Sequence, residues 1–312
     1  MRVLITGGAG FVGSHLADRL LARGDDVLVI DNFATGRRDN LVPHAGLTVV
    51  EGSIADRDLV DETFDDFAPN VVVHAAAAYK NPDDWAEDCA TNALGSALVA
   101  QATARVQASR LLYFQTALCY GLKPIEQPIT LSHPLVPYGS SYAISKTSGE
   151  GYIALSGVPF LSFRLANAYG PRNLSGPLPT FFQRLDTGKK CFVMNTRRDF
   201  VFIDDLVNVI EKAVHGMGSG GFYHVSSGRD FSIKELFDAT VAAMGIALSS
   251  PVEERERNPD DVFSILLDPS RTEQEFAWTT TTPLNEGVAR AIAYYRDFGI
   301  EETFTHLRLA AA

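Results

Sequence analysis

The feature that most restricts the fold stands at the amino end. The apolar run Arg2-Val-Leu-Ile-Thr6 leads directly into Gly7-Gly8-Ala9-Gly10-Phe11-Val12-Gly13, and apolar residues at helical spacing follow from Gly13 to Ala22. A strand that turns this tightly into a helix needs residues that accept positive φ and let the backbone approach a ligand, and Gly7, Gly10 and Gly13 supply them. The unpaired N–H groups of such a helix start favour a pyrophosphate. A turn serving only close helix packing would leave Asp31 unexplained, an acid at the end of the next strand, eighteen residues past Gly13. A carboxylate there accepts hydrogen bonds from both ribose hydroxyls of adenosine and repels a 2′-phosphate. Together they predict a dinucleotide site that prefers NAD over NADP, with Arg37 and Arg38 the features that argue the other way.

The same rhythm continues through Val27–Asp31, Leu47–Val50, Val71–Ala75 and Leu111–Thr116, short β-branched runs separated by helical patterns. This is the βαβ signature of a parallel sheet covered on both faces. Helices are expected over 13–22, stopping at Gly24, and over 92–109. After Pro159-Phe-Leu-Ser-Phe-Arg-Leu165 the pattern loosens into Tyr169-Gly-Pro-Arg-Asn and Ser175-Gly-Pro-Leu-Pro, which suit the loops of a binding cap. The expectation is an α/β, doubly wound Rossmann sheet over 1–165 and a smaller, discontinuous substrate domain over 166–312. Phe222-Tyr-His-Val reads as a strand returning to the first domain, with the segments that re-enter it placed near 200–225.

Composition removes several classes. With 312 residues, 46% of them hydrophobic, there is ample material for a core. The 27 Lys+Arg against 38 Asp+Glu give −11, without a basic face, so neither nucleic acid nor an anionic membrane is an expected partner. No stretch of 18 apolar residues or charged leader is visible, and Cys89, Cys119 and Cys191 lack metal-binding spacing. A soluble, reduced, cytoplasmic protein without structural zinc is expected.

Tyr142-Ala-Ile-Ser-Lys146 places a phenol and an ammonium on one helix face, one turn apart. A phenol of reference pKa about 10 is a poor base at neutral pH, and a neighbouring cation, here Lys146 helped by a positive nicotinamide, favours its phenolate. Thr116, at the carboxyl end of its strand, stands where open α/β sheets present ligands and is a candidate to donate or relay a proton. A tyrosine four residues before a lysine is by itself commonplace; the nucleotide loop gives the pair its meaning. Cys119 and His74 are expected to be structural rather than catalytic, and of Lys189, Lys190, Arg197 and Arg198 at least one, Arg198, is expected on a ligand phosphate.

With these residues in order, the sequence resembles the extended short-chain dehydrogenase/reductases, and within them the NAD-dependent nucleotide-sugar epimerase/dehydratase family. The resemblance covers nearly the whole chain: Thr6 to Gly13, Asp31-Asn32, His74 to Ala77, Asn92 to Ser96, Thr116 to Gly121, Tyr142 to Lys146, Arg164 to Arg172 and Arg198 to Asp205. It implies an NAD site formed by Gly7, Gly10, Phe11, Val12, Gly13, Asp31, Asn32, Ser53, Ile54, Ala75, Ala76, Ala77, Asn92, Tyr142 and Lys146. It implies Thr116, Tyr142 and Lys146 as catalytic, and Thr116, Asn167, Arg198 and Asp261 around the substrate. Ser53 departs from the family's Asp, and Arg257-Asn-Pro-Asp-Asp261 is one residue longer than the family's spacing, which leaves open whether Arg257 reaches the phosphates.

The resemblance further implies oxidation of a sugar at carbon 4. Dehydratases and decarboxylases carry carboxylates just after the active-site Thr, whereas here the run is Thr116-Ala-Leu-Cys-Tyr-Gly. A keto sugar that can neither eliminate nor lose CO2 can only be reduced again, so a UDP-sugar 4-epimerase is expected. The pairs UDP-glucose/UDP-galactose and UDP-glucuronate/UDP-galacturonate both stay open, Thr180 or Ser141 being available for the sugar. A 4,6-dehydratase, a decarboxylase and a non-catalytic NAD sensor are the alternatives, and a homodimer through the helices near 92–109 and 142–155 is expected.

Overall fold

The computed structural model describes residues 1–257, 261–300 and 302–304. Six strands, β1 (Arg2–Thr6), β2 (Asp26–Asp31), β3 (Leu47–Glu51), β4 (Val71–His74), β5 (Arg110–Thr116) and β6 (Phe160–Leu165), join Gly221–Val225 in one seven-stranded sheet. The order is Gly221–Val225, β6, β5, β4, β1, β2, β3, and every pairing is parallel. Chain direction across the sheet reverses between β1 and β4, so a crevice opens at the carboxyl ends of those two strands. Val3, Ile5, Val27, Val29, Val71 and Val73 pack on one face, and Leu4, Leu28, Ile30, Val72, Leu111 and Tyr113 on the other. That two-sided burial is why the strands read as continuous apolar runs rather than alternating ones.

Helix α1 (Phe11–Ala22) starts two residues earlier than expected and ends before Gly24, whose φ of +85° closes it. Helix α2 (Arg57–Phe67) is capped by the Asp56 carboxylate, which accepts from the N–H of Asp58 and of Leu59. The helix expected over 92–109 begins earlier and ends earlier: α3 (Trp85–Asp88) passes through a π-helical stretch, Cys89–Gly95, into α4 (Ser96–Arg105). Periodicity of 3.6 cannot reveal such a widened turn. Helix α5 (Ser141–Leu155) carries the Tyr142/Lys146 pair and starts at Ser140, whose hydroxyl accepts from the Ala143 N–H.

Beyond Leu165 the chain is more regular than its prolines and glycines suggested. Asn167–Tyr169 pairs with Phe200–Phe202, and α6 (Pro177–Asp186) has its proline in the first turn, where no N–H is required. Helix α7 (Ile203–Val214) packs on α1, and Arg19 and Arg23 of α1 both pair with Glu211. Helices α8 (Ile233–Met244) and α10 (Leu284–Phe298) pack together, while α9 (Ser270–Phe276) lies against Gly221–Val225. One hydrophobic cluster runs from β1 through Tyr169 and Phe202 to Tyr295, so the part of the chain beyond Leu165 shares its core with the sheet. Among the described residues no helix is long and apolar enough to cross a membrane. The three cysteines form no disulfide.

Candidate active site

The crevice at the reversal point is the mouth of a cavity of about 750 Å³ that runs from the glycine turn to Asn167 and Phe200. Gly7 has φ +69°, and a Cβ on it would lie 2.6 Å from the backbone of Ala76; a Cβ on Gly13 would lie 2.3 Å from the Gly7 carbonyl oxygen. No side chain caps α1 at Gly10, and Phe11, Val12 and Gly13 line the cavity with the first turn's N–H groups available to an anion. Asp31, 7% exposed, accepts from the N–H of Ala9 and of Phe33, both at 2.8 Å. Burial raises its carboxyl above the usual range, against the pull of those two hydrogen bonds. Arg37 is held by Asp39, and Arg38 by Glu51 at 2.6 Å, so the two arginines that argued for a 2′-phosphate are both paired with carboxylates. Asn32, Ser53, Ile54, Ala75, Ala76 and Ala77 complete this end. The residues fit NAD: a bare helix start, glycines that tolerate no side chain, and an acid at the ribose position.

Thr116, Tyr142, Lys146 and Asn167 line the other end of the same cavity. The Thr116 hydroxyl accepts from the Leu118 N–H, which leaves its hydrogen for a ligand. Tyr142 and Lys146 are held by the packing of α5 on β5 and on the π-helical stretch. Burial pushes the Tyr142 phenol up, helped by Tyr79 and Asp88 nearby, while burial takes Lys146 down to about 7. Burial thus favours the neutral form of each group, and the expected help of the positive nicotinamide acts on that pair.

Four expected site residues lie off the cavity wall. Asn92 is fully buried, accepts from the Ala78 N–H at 2.8 Å, and donates to the Ala78 carbonyl and to Ser145 Oγ, both at 3.0 Å. It fastens the Ala75–Ala78 segment to α5 and positions the cofactor wall instead of forming it. Thr180 turns its hydroxyl to the Gly176 carbonyl within α6. Arg198 pairs with Asp261 at 2.6 Å and donates to the Val262 carbonyl, and Arg257 donates to the Asp261 carbonyl. Residues 258–260 of that motif lie outside the described residues. His74, neutral because burial holds it well below its usual value, sits between Thr6 Oγ1 at 2.7 Å and Ser96 Oγ at 2.8 Å. Since Ser96 donates to the Asn92 carbonyl, the imidazole donates from Nε2 and accepts at Nδ1. Cys119 is buried and burial pushes its thiol up.

Other wall residues were not anticipated. Tyr79, two positions beyond the last residue expected of the Ala75–Ala77 segment, is hydrogen-bonded to the Thr35 side chain and is coupled by charge to both Asp31 and Tyr142. Asp88, 2% exposed, stands four residues before Asn92; its Oδ2 has no hydrogen-bond partner among the described residues. That i, i+4 spacing was the available signal.

A doubly wound sheet with a dinucleotide cradle at its reversal point, and a Thr/Tyr/Lys set at the cradle's far end, defines an NAD-binding enzyme of the short-chain dehydrogenase type. Residues 3–225 match the NAD dependent epimerase/dehydratase family. The chain is 30% identical to a UDP-glucose 4-epimerase of Mycolicibacterium smegmatis over 95% of its own length and 99% of that protein's. Its fold matches the Bordetella bronchiseptica enzyme WbmH, crystallised with NAD+, at TM-score 0.93 and 56% identity, covering 96% of this chain and 99% of that one. WbmG of the same organism, crystallised with NAD and UDP, matches at 0.91 and 47%, covering 99% of each chain. The chain belongs to the NAD-dependent epimerase/dehydratase family, and its cofactor is NAD.

Proposed function

We propose that the protein is a UDP-sugar 4-epimerase. The observation that carries this reading is the composition of the catalytic end: Thr116, Tyr142 and Lys146 meet in the cavity, and the turn after Thr116, residues 117–121, brings no carboxylate to the sugar. NAD, when bound, supplies reversible hydride exchange at sugar carbon 4 and a positive ring, so that a 4-keto sugar forms, turns and is reduced on its other face. Tyr142 takes the proton from the 4-hydroxyl and later returns it, Lys146 favours the phenolate, and the Thr116 hydroxyl holds the reacting oxygen. Gly7, Gly10, Phe11, Val12 and Gly13 hold the pyrophosphate, Asp31 the adenosine ribose, and Ser53 and Ile54 the adenine. Asn167 is proposed to hold the nucleoside diphosphate from the cavity wall, with the cation Arg198 completing its site once its pairing with Asp261 off the wall gives way, and Arg257 beside them through the Asp261 carbonyl. UDP-glucose/UDP-galactose and UDP-glucuronate/UDP-galacturonate are the substrate pairs. The nucleotide is supported by the UDP bound to WbmG and the reaction by the name of the mycobacterial relative. The enzyme is proposed to work in the cytoplasm as a homodimer.

A second reading, 4,6-elimination, draws on Asp88, a buried acid with an unpartnered oxygen on the cavity wall beside Tyr142. Incubating the protein with each UDP-sugar and separating the products distinguishes the two. The expected result is the same epimer mixture from either member of one pair, with turnover lowered by at least a thousandfold in Tyr142→Phe while NAD stays bound. A keto-deoxy product absorbing in alkali would establish elimination instead, and full activity of Tyr142→Phe would remove the phenol from the mechanism.

A further inference from the structure

The catalytic helix contains a second buried charge that the reaction scheme does not use. Glu150 is 3% exposed and Lys146 2%, and they stand four residues apart on the inward face of α5. Gly149, between them, brings the helix so close to its neighbours that a Cβ would lie 2.4 Å from the Asn92 carbonyl oxygen and 2.9 Å from the Tyr113 hydroxyl. Tyr113 donates that hydroxyl to the Lys146 carbonyl at 2.9 Å, and the Lys146 ammonium lies 4.1 Å from the centre of the Tyr113 ring. The titratable groups acting on the ammonium are Glu150 on its own helix, with Arg164 paired to it, Tyr113 on β5 and His74 on β4, while Tyr142 and Cys119 act on Tyr113. His74 is neutral, and burial holds Tyr113 and Cys119 in their neutral forms. Glu150 is the one carboxylate in this set.

Its position is firmly held. Glu150 Oε1 accepts from Ser162 Oγ at 2.5 Å and from Arg164 Nε at 3.2 Å, while Oε2 accepts from Arg164 Nη2 at 2.8 Å. Arg164 also donates Nη1 to the Tyr120 hydroxyl at 2.7 Å and stacks over Phe222. A buried pair of this kind is replaceable by apolar side chains as far as stability is concerned. Its place one turn from a buried lysine suggests a different use, since a fixed carboxylate offsets the desolvation of a nearby ammonium.

We propose that Glu150, clamped by Arg164 and Ser162, is a positioning residue whose charge keeps Lys146 cationic in the working enzyme. The inference concerns the protonation of Lys146 and rests on the proposed role of that residue, but its test needs no sugar. The NAD-loaded protein is labelled with [ε-13C]lysine, the Lys146 resonance is assigned with Lys146→Met, and its titration is followed by NMR. Glu150→Gln alone leaves Arg164 buried and uncompensated, so the decisive variant is Glu150→Gln combined with Arg164→Met, which removes both charges. Losing the arginine would by itself raise the lysine midpoint, so any fall reports the loss of Glu150. The expected fall is a fraction of the roughly one pH unit that a single charge a helical turn away would give, because loss of the arginine offsets part of it, and it should still exceed a few tenths of a unit. Glu150→Asp, which keeps both the charge and its partner, should stay within a few tenths of a pH unit of wild type. With a sugar substrate the alkaline limb of kcat should move down with the midpoint while KM is held. An unchanged Lys146 midpoint in the double variant would reduce Glu150 to a partner for Arg164 and overturn the proposal.

Discussion

Single atoms decide what the amino-terminal turn can hold. Gly13 is the sharpest case, because its missing Cβ is the space occupied by the Gly7 carbonyl oxygen. Gly13→Ala would push the turn away from α1 and tilt the first N–H groups out of line with the pyrophosphate. The fold should survive, as the strain is local, but NAD affinity should fall at least tenfold, about 1.4 kcal/mol. Fluorescence titration of the stripped protein with NAD measures this, and wild-type affinity would mean that the turn relaxes without cost to the ligand. The same scale explains what escaped the sequence reading. Tyr142 and Lys146 were legible as a pair, but burial moves each toward its neutral form, and burial depends on residues far away in the chain.

At the scale of elements, one carboxylate joins the Phe200–Phe202 strand to the edge of the seven-stranded sheet. Asp199 lies between Arg198 and Phe200, accepts from the hydroxyls of Ser226 and Ser227 and from the Ser227 N–H, and so joins the Phe200–Phe202 strand to the end of Gly221–Val225. The Asp199 carbonyl also receives the N–H and the side-chain amide of Asn167. Burial raises the Asp199 carboxyl to about 6, against the pull of the serines. An acid with a raised folded pKa binds its proton more tightly in the native state, so its contribution is fully present below about pH 4 and is lost as pH rises toward 6. Wild type should therefore lose up to about 3 kcal/mol relative to Asp199→Asn between those pH values. Denaturant melts of both proteins across pH 4–7 test the slope, and parallel curves would show that Asp199 titrates normally. The π-helical stretch acts at the same scale by turning Asn92 inward onto Ala78 and Ser145.

For the whole molecule, the surface of α3, the π-helical stretch and α5 leaves Trp85, Leu94, Ile144, Tyr152 and Leu155 exposed. Apolar residues gathered on two adjacent helices mark an association surface. The proposed homodimer pairs these helices with their copies, which would bury the outer side of the element that bears Tyr142. Sedimentation at micromolar concentration should give a dimer, and Leu94→Glu with Tyr152→Glu should give a folded monomer. A monomeric wild type would refute the arrangement. Turnover in the folded double variant would show how far the dimer supports the site.

What the amino-acid sequence determined is local and repetitive: the glycine turn, the acid at the end of the second strand, the βαβ rhythm, and a tyrosine one helical turn from a lysine. Each follows from steric freedom or periodicity over a few residues and needs no knowledge of distant neighbours. Only the tertiary structure decided that Asn92 fastens the cofactor wall rather than forming it, that Arg198 is paired with Asp261, and that Glu150 is enclosed beside Lys146. Those outcomes depend on which side chains meet across the sheet and how much water is excluded when they do, and burial, not spacing, sets the charge each of them carries.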